Sequence, residues 1–471
     1  MKILLITGTF PQLSETFIYR QALELAKRGH AMTVATRHVG DWAPFHDWPR
    51  PTHLCQLLPE EGFARPSHWC RAGTGLLRAW LYQPRQAWRL WQLIVRHPHP
   101  GLARWRAFLR YAGFLGLRPE VIHFEFSGIA AAYPLLGELL VAPTVASCRG
   151  ADINALAEQS PQQQAARKTA LVRADAIHAV SGRMAAAVTA LLPEVAGRVR
   201  INRPAVPIPM VEGLGGLGVG GLNPKPPEGQ VPIIETQKDD TSSARNQGDT
   251  PPPPPISAFS FQLSAFPSTP QPPNRPTIRI LAPGRLVWKK GFDYLVAALV
   301  KLKATDVPFH ATIVGDGPLM PMLRYSVWDM GLSDHVTLTG ALTPTQVLAK
   351  MREVDLFVLS SHEEGISNAV LEAMASRLPI MTTDCGGMNE AVTDGVEGFV
   401  VPVRDITAMA DRLERLARDP ELRNTMGLAA RRRVERDFSL ERQAVGFEEI
   451  YQAAIQRKAE ITRAESRNQR L

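Results

Sequence analysis

The chain has 471 residues, 45% of them apolar and 21% charged, which fits a globular protein of two or three domains and excludes a chain disordered throughout. Its formal charge is +8, and the excess belongs to one region, residues 64–118, which hold ten arginines and no Asp or Glu. No run of about 18 apolar residues is uninterrupted and the four cysteines form no CxxC pair, so neither a membrane-spanning helix nor a disulfide or zinc framework is expected, and a reducing cytosol is the default setting.

The chain starts MKILLITGTF. The short apolar run over 3–7 ends at Gly8 and reads as a first strand rather than a secretory signal. A helical pattern from Ser14 to Arg28 follows, stopped by Gly29, and then a second strand over 31–36. This strand–loop–helix–strand unit opens a doubly wound sheet. Strands are expected again over 120–124, 143–147 and 175–180. Between them, residues 64–118 interleave arginine with Trp69, Trp80, Trp88, Trp91 and Trp105. Trp80, Trp88 and Trp91 are expected on one helical face with Leu77, Leu81 and Ile94, interrupted by Pro84. Such a segment suits an anionic membrane surface, where each arginine contributes about 1 kcal/mol. Its other reading is helices packed on the domain with their arginines in water. Nothing else in the chain supports a nucleic-acid face.

Residues 212–276 differ in kind, with 14 of the 39 prolines and eight glycines. This composition cannot bury enough apolar surface to offset its ordering entropy, so a disordered Pro/Gly-rich linker is expected there. Its GLGVGG is no dinucleotide loop, because no strand precedes it and no helix follows. A second alternating block then starts at TIRILAPGRL, with strands over 278–282, 310–314, 335–338, 354–359, 379–383 and 399–401. The expected organisation is an N-terminal domain over 1–211, the linker over 212–276, a second α/β domain over 277–438 and a terminal helix over 439–471.

The second block carries the chemistry. Its first strand ends in Gly284-Arg285-Leu286, with Lys290-Gly291 close behind. Cations just past a strand end, beside glycines that let backbone approach, suit a diphosphate. The next strand exits through Gly315 and Gly317. In DLFVLSSHEEGISNAVLEAMASRLPI a buried strand leads through Glu364-Gly365-Ile366-Ser367 into a helix from about Asn368, with Ser367 expected as its N-cap. The helix N-terminus makes a phosphate site, and Glu364 and Glu372, eight residues apart, can bracket a ligand bearing hydroxyls at both ends.

GRL…KG, VGDGP, EGISNAVLEAMA and TDCGGMNEAVTDGVEGFVVPVRD occur in that order. Together they closely resemble the donor-binding domain of glycosyltransferase family 4, the retaining GT-B enzymes, over residues 275–440 and on through FSLERQAVGFEEIYQAAI. The fold this implies is α/β, with two Rossmann-like doubly wound domains facing a cleft and a terminal helix crossing back. The resemblance implies that Arg285 and Lys290 hold the nucleotide diphosphate and that Glu364 contacts donor-sugar hydroxyls. It also implies that Glu372 binds the ribose, while Gly284, Gly315, Gly365, Ile366, Ser367, Ala369 and Val370 line the sugar and phosphate cradle. It implies no bound metal and no cofactor beyond the nucleotide sugar. ITGTFPQLSETFIYRQALELAKRGH resembles the branch that builds exopolysaccharides and lipopolysaccharides, and makes Thr9, Ser14 and Glu15 acceptor-side candidates, with His123, Arg149 and Asp152. In VIHFEFSG and ASCRGADI this chain departs from the family: Glu125 and Arg149 stand where a histidine is usual. An arginine cannot serve as a base. The function implied is transfer of a sugar from a nucleotide donor to a glycan or lipid-linked acceptor, in the cytoplasm or on the inner face of the membrane. The rivals are a sugar-nucleotide binder without turnover and a soluble synthase acting on a sugar phosphate.

Overall fold

The structure, a computed structural model, describes residues 1–12, 15–43, 53–56, 80–96, 102–150, 153, 159–208 and 277–468. The expected linker over 212–276, residues 64–79 of the basic segment, and two acceptor-side candidates, Ser14 and Asp152, lie outside them.

Two parallel sheets form. The first is built from β1 (Lys2–Phe10), β2 (Ala31–Val39), β3 (His53–Gln56), β4 (Val121–Phe124), β5 (Thr144–Cys148), β6 (Ala176–Ala179) and β7 (Val199–Ile201), in the order β3-β2-β1-β4-β5-β6-β7. The second is built from β8 (Ile278–Pro283), β9 (Phe309–Val314), β10 (Val336–Leu338), β11 (Leu356–Leu359), β12 (Ile380–Thr383) and β13 (Gly398–Val401), in the order β10-β9-β8-β11-β12-β13. Helices cover both faces of each sheet, so inner strands are buried throughout: VIHF in β4 and LFVL in β11 are buried at every position. Both doubly wound sheets expected from the sequence are present. β3 and β7 escape sequence reading because edge strands have one neighbour and no apolar run. β7 reads Val-Arg-Ile with no residue fully buried.

In each sheet the order reverses beside the first strand, between β1 and β4 and between β8 and β11. That reversal opens a crevice at the carboxyl ends of the strands, where open α/β sheets take their ligands. The terminal helix Leu440–Asn468 packs on the first sheet. Its Ala444, Phe447, Ile450, Tyr451 and Ala454 join one buried cluster with Ile3, Leu5, Val121 and Val145. Among the described residues no helix is long and apolar enough to cross a membrane.

The single apolar face expected for the tryptophan-rich segment does not form. Helix Pro84–Arg96 buries Ala87, Leu90, Leu93 and Ile94, whereas Trp88 is 54% exposed. At about 100° per residue, positions 87, 90 and 94 share one side and 88 and 95 the other. Trp91 instead lies beside Trp105, their rings tilted by 44° with centroids 4.9 Å apart, and both flank the buried ring of Phe108.

Candidate functional site

The ends of β8 and β9 meet backbone to backbone. A Cβ on Gly315, at φ +143°, would lie 1.8 Å from the Gly284 carbonyl oxygen, and one on Gly317 would lie 2.6 Å from that of Leu286. The Leu286 amide donates to Asp316 O at 2.9 Å. This packing buries Leu286 and leaves the side chain of the preceding Arg285 exposed. The chain then turns through Trp288–Lys290, and Ser360 Oγ donates to Lys290 O at 2.9 Å, tying that turn to the end of β11. The Lys290 ammonium donates to Glu364 Oε1, which also accepts from Ser361 Oγ at 2.9 Å. Lys290 and Glu364 keep 18% and 16% of their side chains exposed, so the pair is open to the crevice.

The Glu364 loop rests on residues 384–387. Gly386 has φ +63°, and a Cβ there would lie 1.6 Å from Glu364 O. The Gly387 amide donates to Gly365 O at 2.8 Å. Helix Asn368–Ala375 then starts, but Ser367 does not cap it: its side chain makes no bond to the first turn, and its own amide points at Met388 Sδ, 3.4 Å away. Among the described residues no side chain accepts from the amides of Ala369 and Val370, which leaves an uncapped helix start. Val370 itself is fully buried, as Ile366 nearly is, so these positions can offer only backbone to a ligand.

Glu372, one turn into this helix, accepts from Arg20 Nη1 at 2.6 Å. Arg20 comes from helix Thr16–Lys27 of the first sheet and is 6% exposed. The two halves therefore meet through a charged pair at a predicted ribose carboxylate. They also meet at Gly365, where a Cβ would lie 3.2 Å from Arg149 O and 3.1 Å from Val180 Cγ2, and at Glu390, which accepts from the Arg183 amide and from the Arg203 guanidinium.

Glu125 and Arg149, the two departures from the family pattern, are each other's partners. Arg149 Nη2 donates to the Glu125 carboxylate and to Gln21 Oε1 at 3.1 Å, and the guanidinium lies 4.4 Å over the Phe17 ring. Gln21 Nε2 donates to Glu125 Oε1 at 3.0 Å. Burial lifts the Glu125 carboxyl above the usual range against the pull of Arg149 and Gln21. Behind it runs a directed chain. His178 Nε2 lies 2.7 Å from the Asn202 carbonyl oxygen and must donate to it, so its Nδ1 accepts from Ser147 Oγ, also at 2.7 Å. Ser147 then accepts from His123 Nε2 at 2.7 Å, and His123 Nδ1 accepts from Tyr451 Oη at 2.9 Å. Burial, reinforced by the Arg149 charge, holds both histidines well below the usual imidazole range.

The crevice thus gathers Arg285, Lys290, Glu364, Gly365 and Ser367, with Gly284 and Gly315 beneath them and Glu372 across from Arg20. His123 is not among them. It is wholly buried behind the sheet and ties β4 to the terminal helix. Thr9 stays half-buried at the end of β1, paired in register with His38. Glu15 occupies the N-cap position of the first helix without bonding its amides. Arg20 and Gln21 escape sequence reading, although two polar residues between buried Tyr19 and Ala22 are the signal that finds them. Among the described residues no three His, Cys, Asp or Glu stand together as a metal site.

Two family models match the chain, "Glycosyltransferase Family 4" over residues 14–208 and "Glycosyl transferases group 1" over residues 268–433. An alpha-D-kanosaminyltransferase of Streptomyces kanamyceticus is 36% identical over 147 residues, 31% of this chain and 38% of that protein. The amylovoran biosynthesis glycosyltransferase AmsK of Erwinia amylovora is 34% identical over 168 residues, 34% of this chain and 41% of its own. The chain thus spans about two fifths of the length of the curated relatives it matches. Among solved structures, Anabaena Alr3699/HepE in complex with UDP-glucose aligns at a TM-score of 0.61 with 14% identity, over 98% of this chain and 100% of that one. The apo lipopolysaccharide outer core galactosyltransferase WaaB aligns at 0.57 with 15% identity, over 96% and 99%.

Proposed function

This chain belongs to glycosyltransferase family 4, and from that premise we propose that it transfers a hexose, with retention of anomeric configuration, from a nucleoside-diphosphate sugar to a glycan or lipid-linked acceptor of a cell-surface polysaccharide. The observation that carries this reading is the Lys290–Glu364–Ser361 cluster beside exposed Arg285, at the carboxyl ends of β8 and β11. The relatives act in kindred settings: AmsK in amylovoran biosynthesis, and a mycobacterial relative as a GDP-mannose-dependent mannosyltransferase on a phosphatidylinositol monomannoside.

In this reading the bond between C1 of the sugar and the β-phosphate oxygen breaks as an acceptor hydroxyl oxygen bonds to C1 on the same face. The acceptor proton passes to the departing phosphate. Negative charge grows on that phosphate, and Arg285, Lys290 and the uncapped helix start supply preorganised positive potential there, without need of a metal. Glu364 receives donor-sugar hydroxyls and Glu372 the ribose. The acceptor enters from the side of Thr9 and Glu15. Docking at the inner membrane surface is part of the same proposal, and rests on Trp80, Leu81, Tyr82, Trp88 and Trp105, each at least 39% exposed, among arginines without acidic neighbours.

The test is thermal unfolding of the full chain against a panel of nucleotide sugars, with Arg285→Ala in parallel. A true donor at 100 times its dissociation constant adds about 2.7 kcal/mol, a shift of several degrees, in wild type and not in the variant. NMR of the product's anomeric proton reads retention. A folded protein that no nucleotide sugar stabilises sinks the proposal.

A further inference from the structure

The sequence assigns the nucleotide site wholly to the second half of the chain, yet its ribose carboxylate is engaged by the first half. Arg20 Nη1 donates to Glu372 Oε1 at 2.6 Å. Arg20 is 6% exposed, and Glu372 15%. A guanidinium this deeply buried has little freedom, and a charge-assisted bond to it fixes the orientation of the carboxylate as well as its charge. Oε2 of Glu372 has no hydrogen-bond partner among the described residues. The neighbouring Gln21, held between Glu125 and Arg149, anchors the same turn of helix Thr16–Lys27, so Arg20 projects from a braced segment.

We propose that Arg20 is a positioning residue of the nucleotide site. It holds Glu372 Oε1 so that Oε2 meets the ribose hydroxyls, and it offsets a negative charge that stands near the donor's diphosphate. The site is then complete only when the two halves are together, and ribose recognition is tied to closure of the crevice. This rests on the reading of Glu372 as the ribose ligand.

The experiment compares UDP, GDP and ADP with their 2′,3′-dideoxy counterparts by calorimetric titration of the full chain, in wild type, Glu372→Gln, Arg20→Gln and Arg20→Lys. The base that binds wild type is expected to favour the ribonucleotide about 10-fold or more, the range of a hydrogen bond to a charged group. Glu372→Gln should abolish that preference. Arg20→Gln should abolish most of it too while its affinity for the dideoxy form holds, which also certifies a folded site, and Arg20→Lys should restore part. A preference retained in Arg20→Gln but lost in Glu372→Gln overturns the role of Arg20 and leaves the ribose reading standing. A preference that survives in Glu372→Gln, or no nucleotide bound by wild type, overturns both.

Discussion

Arg285 and Lys290 look alike in the sequence, two cations near one glycine turn, but the structure gives them different neighbours. Arg285 is exposed, whereas Lys290 donates to Glu364 and its carbonyl is held by Ser360. Both serve the departing phosphate in the proposed reaction, so Arg285→Ala and Lys290→Ala should each lower kcat about 100- to 1,000-fold. Lys290→Ala should also weaken donor binding, because Glu364 is left with Ser361 alone. Steady-state kinetics read both, and a loss below tenfold in kcat argues against leaving-group stabilisation. Glu125 and Arg149 make a second residue-scale case. Glu125→Gln leaves Arg149, 7% exposed, without its counter-charge and should cost about 3–5 kcal/mol, whereas the paired change Glu125→Met with Arg149→Met should recover most of that. Chemical denaturation of wild type, Glu125→Met, Arg149→Met and the double variant forms the cycle, and additive losses would show that the two do not act as a pair.

At the scale of elements, the loop carrying Glu364 owes its place to glycines as well as to side-chain contacts. Gly386 combines φ +63° with a clash of any Cβ against the Glu364 carbonyl, and the left-handed conformation alone costs an L-residue about 1–2 kcal/mol. Gly386→Ala should therefore displace the loop and reduce nucleotide-sugar affinity more than tenfold. Gly197→Ala, where nothing lies within 4 Å of the added methyl, should leave it unchanged. Equal effects, measured by the same titration, would remove the loop argument. The TDCGGMNEA run was legible as part of a family motif, but the reason for its glycines was not. It requires the loop after β12 to lie against the loop after β11, a contact between segments some 20 residues apart that no local pattern encodes.

For the whole molecule, the histidine chain behind the first sheet joins β4, β5 and β6 to the terminal helix and carries a pH signature. His123 and His178 are held neutral when folded, their pKa values lowered by burial. The unfolded chain takes up their protons as pH falls through about 6.5, so stability is full above that value and declines below it, by at most about 1.4 kcal/mol per pH unit for each histidine. Glu125, with its pKa raised by burial, binds its proton more readily when folded and acts in the opposite direction, so the slope should reflect fewer than two net protons. Denaturation midpoints between pH 7 and 5 measure this, and a flat profile in wild type contradicts it. The basic face gives a second whole-molecule expectation. Replacing Arg85, Arg89 and Arg96 together by Gln should weaken sedimentation with anionic vesicles about 100-fold, at about 1 kcal/mol per arginine, and leave turnover of a soluble acceptor intact. Indifference to vesicle charge would return these helices to a packing role.

By itself the sequence determined the two doubly wound sheets, because buried parallel strands write continuous apolar runs and helices between them write a 3.6-residue period. It also singled out Arg285, Lys290, Glu364 and Glu372, since all four lie just beyond ends of such runs or on the helix that follows. Only the tertiary structure decided the partners. That Arg20 reaches Glu372, that Glu125 neutralises Arg149, and that His123 faces Tyr451 and not the crevice are contacts across 352, 24 and 328 residues of chain. Their physical cause is burial: a charge or imidazole removed from water must find its complement wherever the fold brings one, and sequence distance does not measure that.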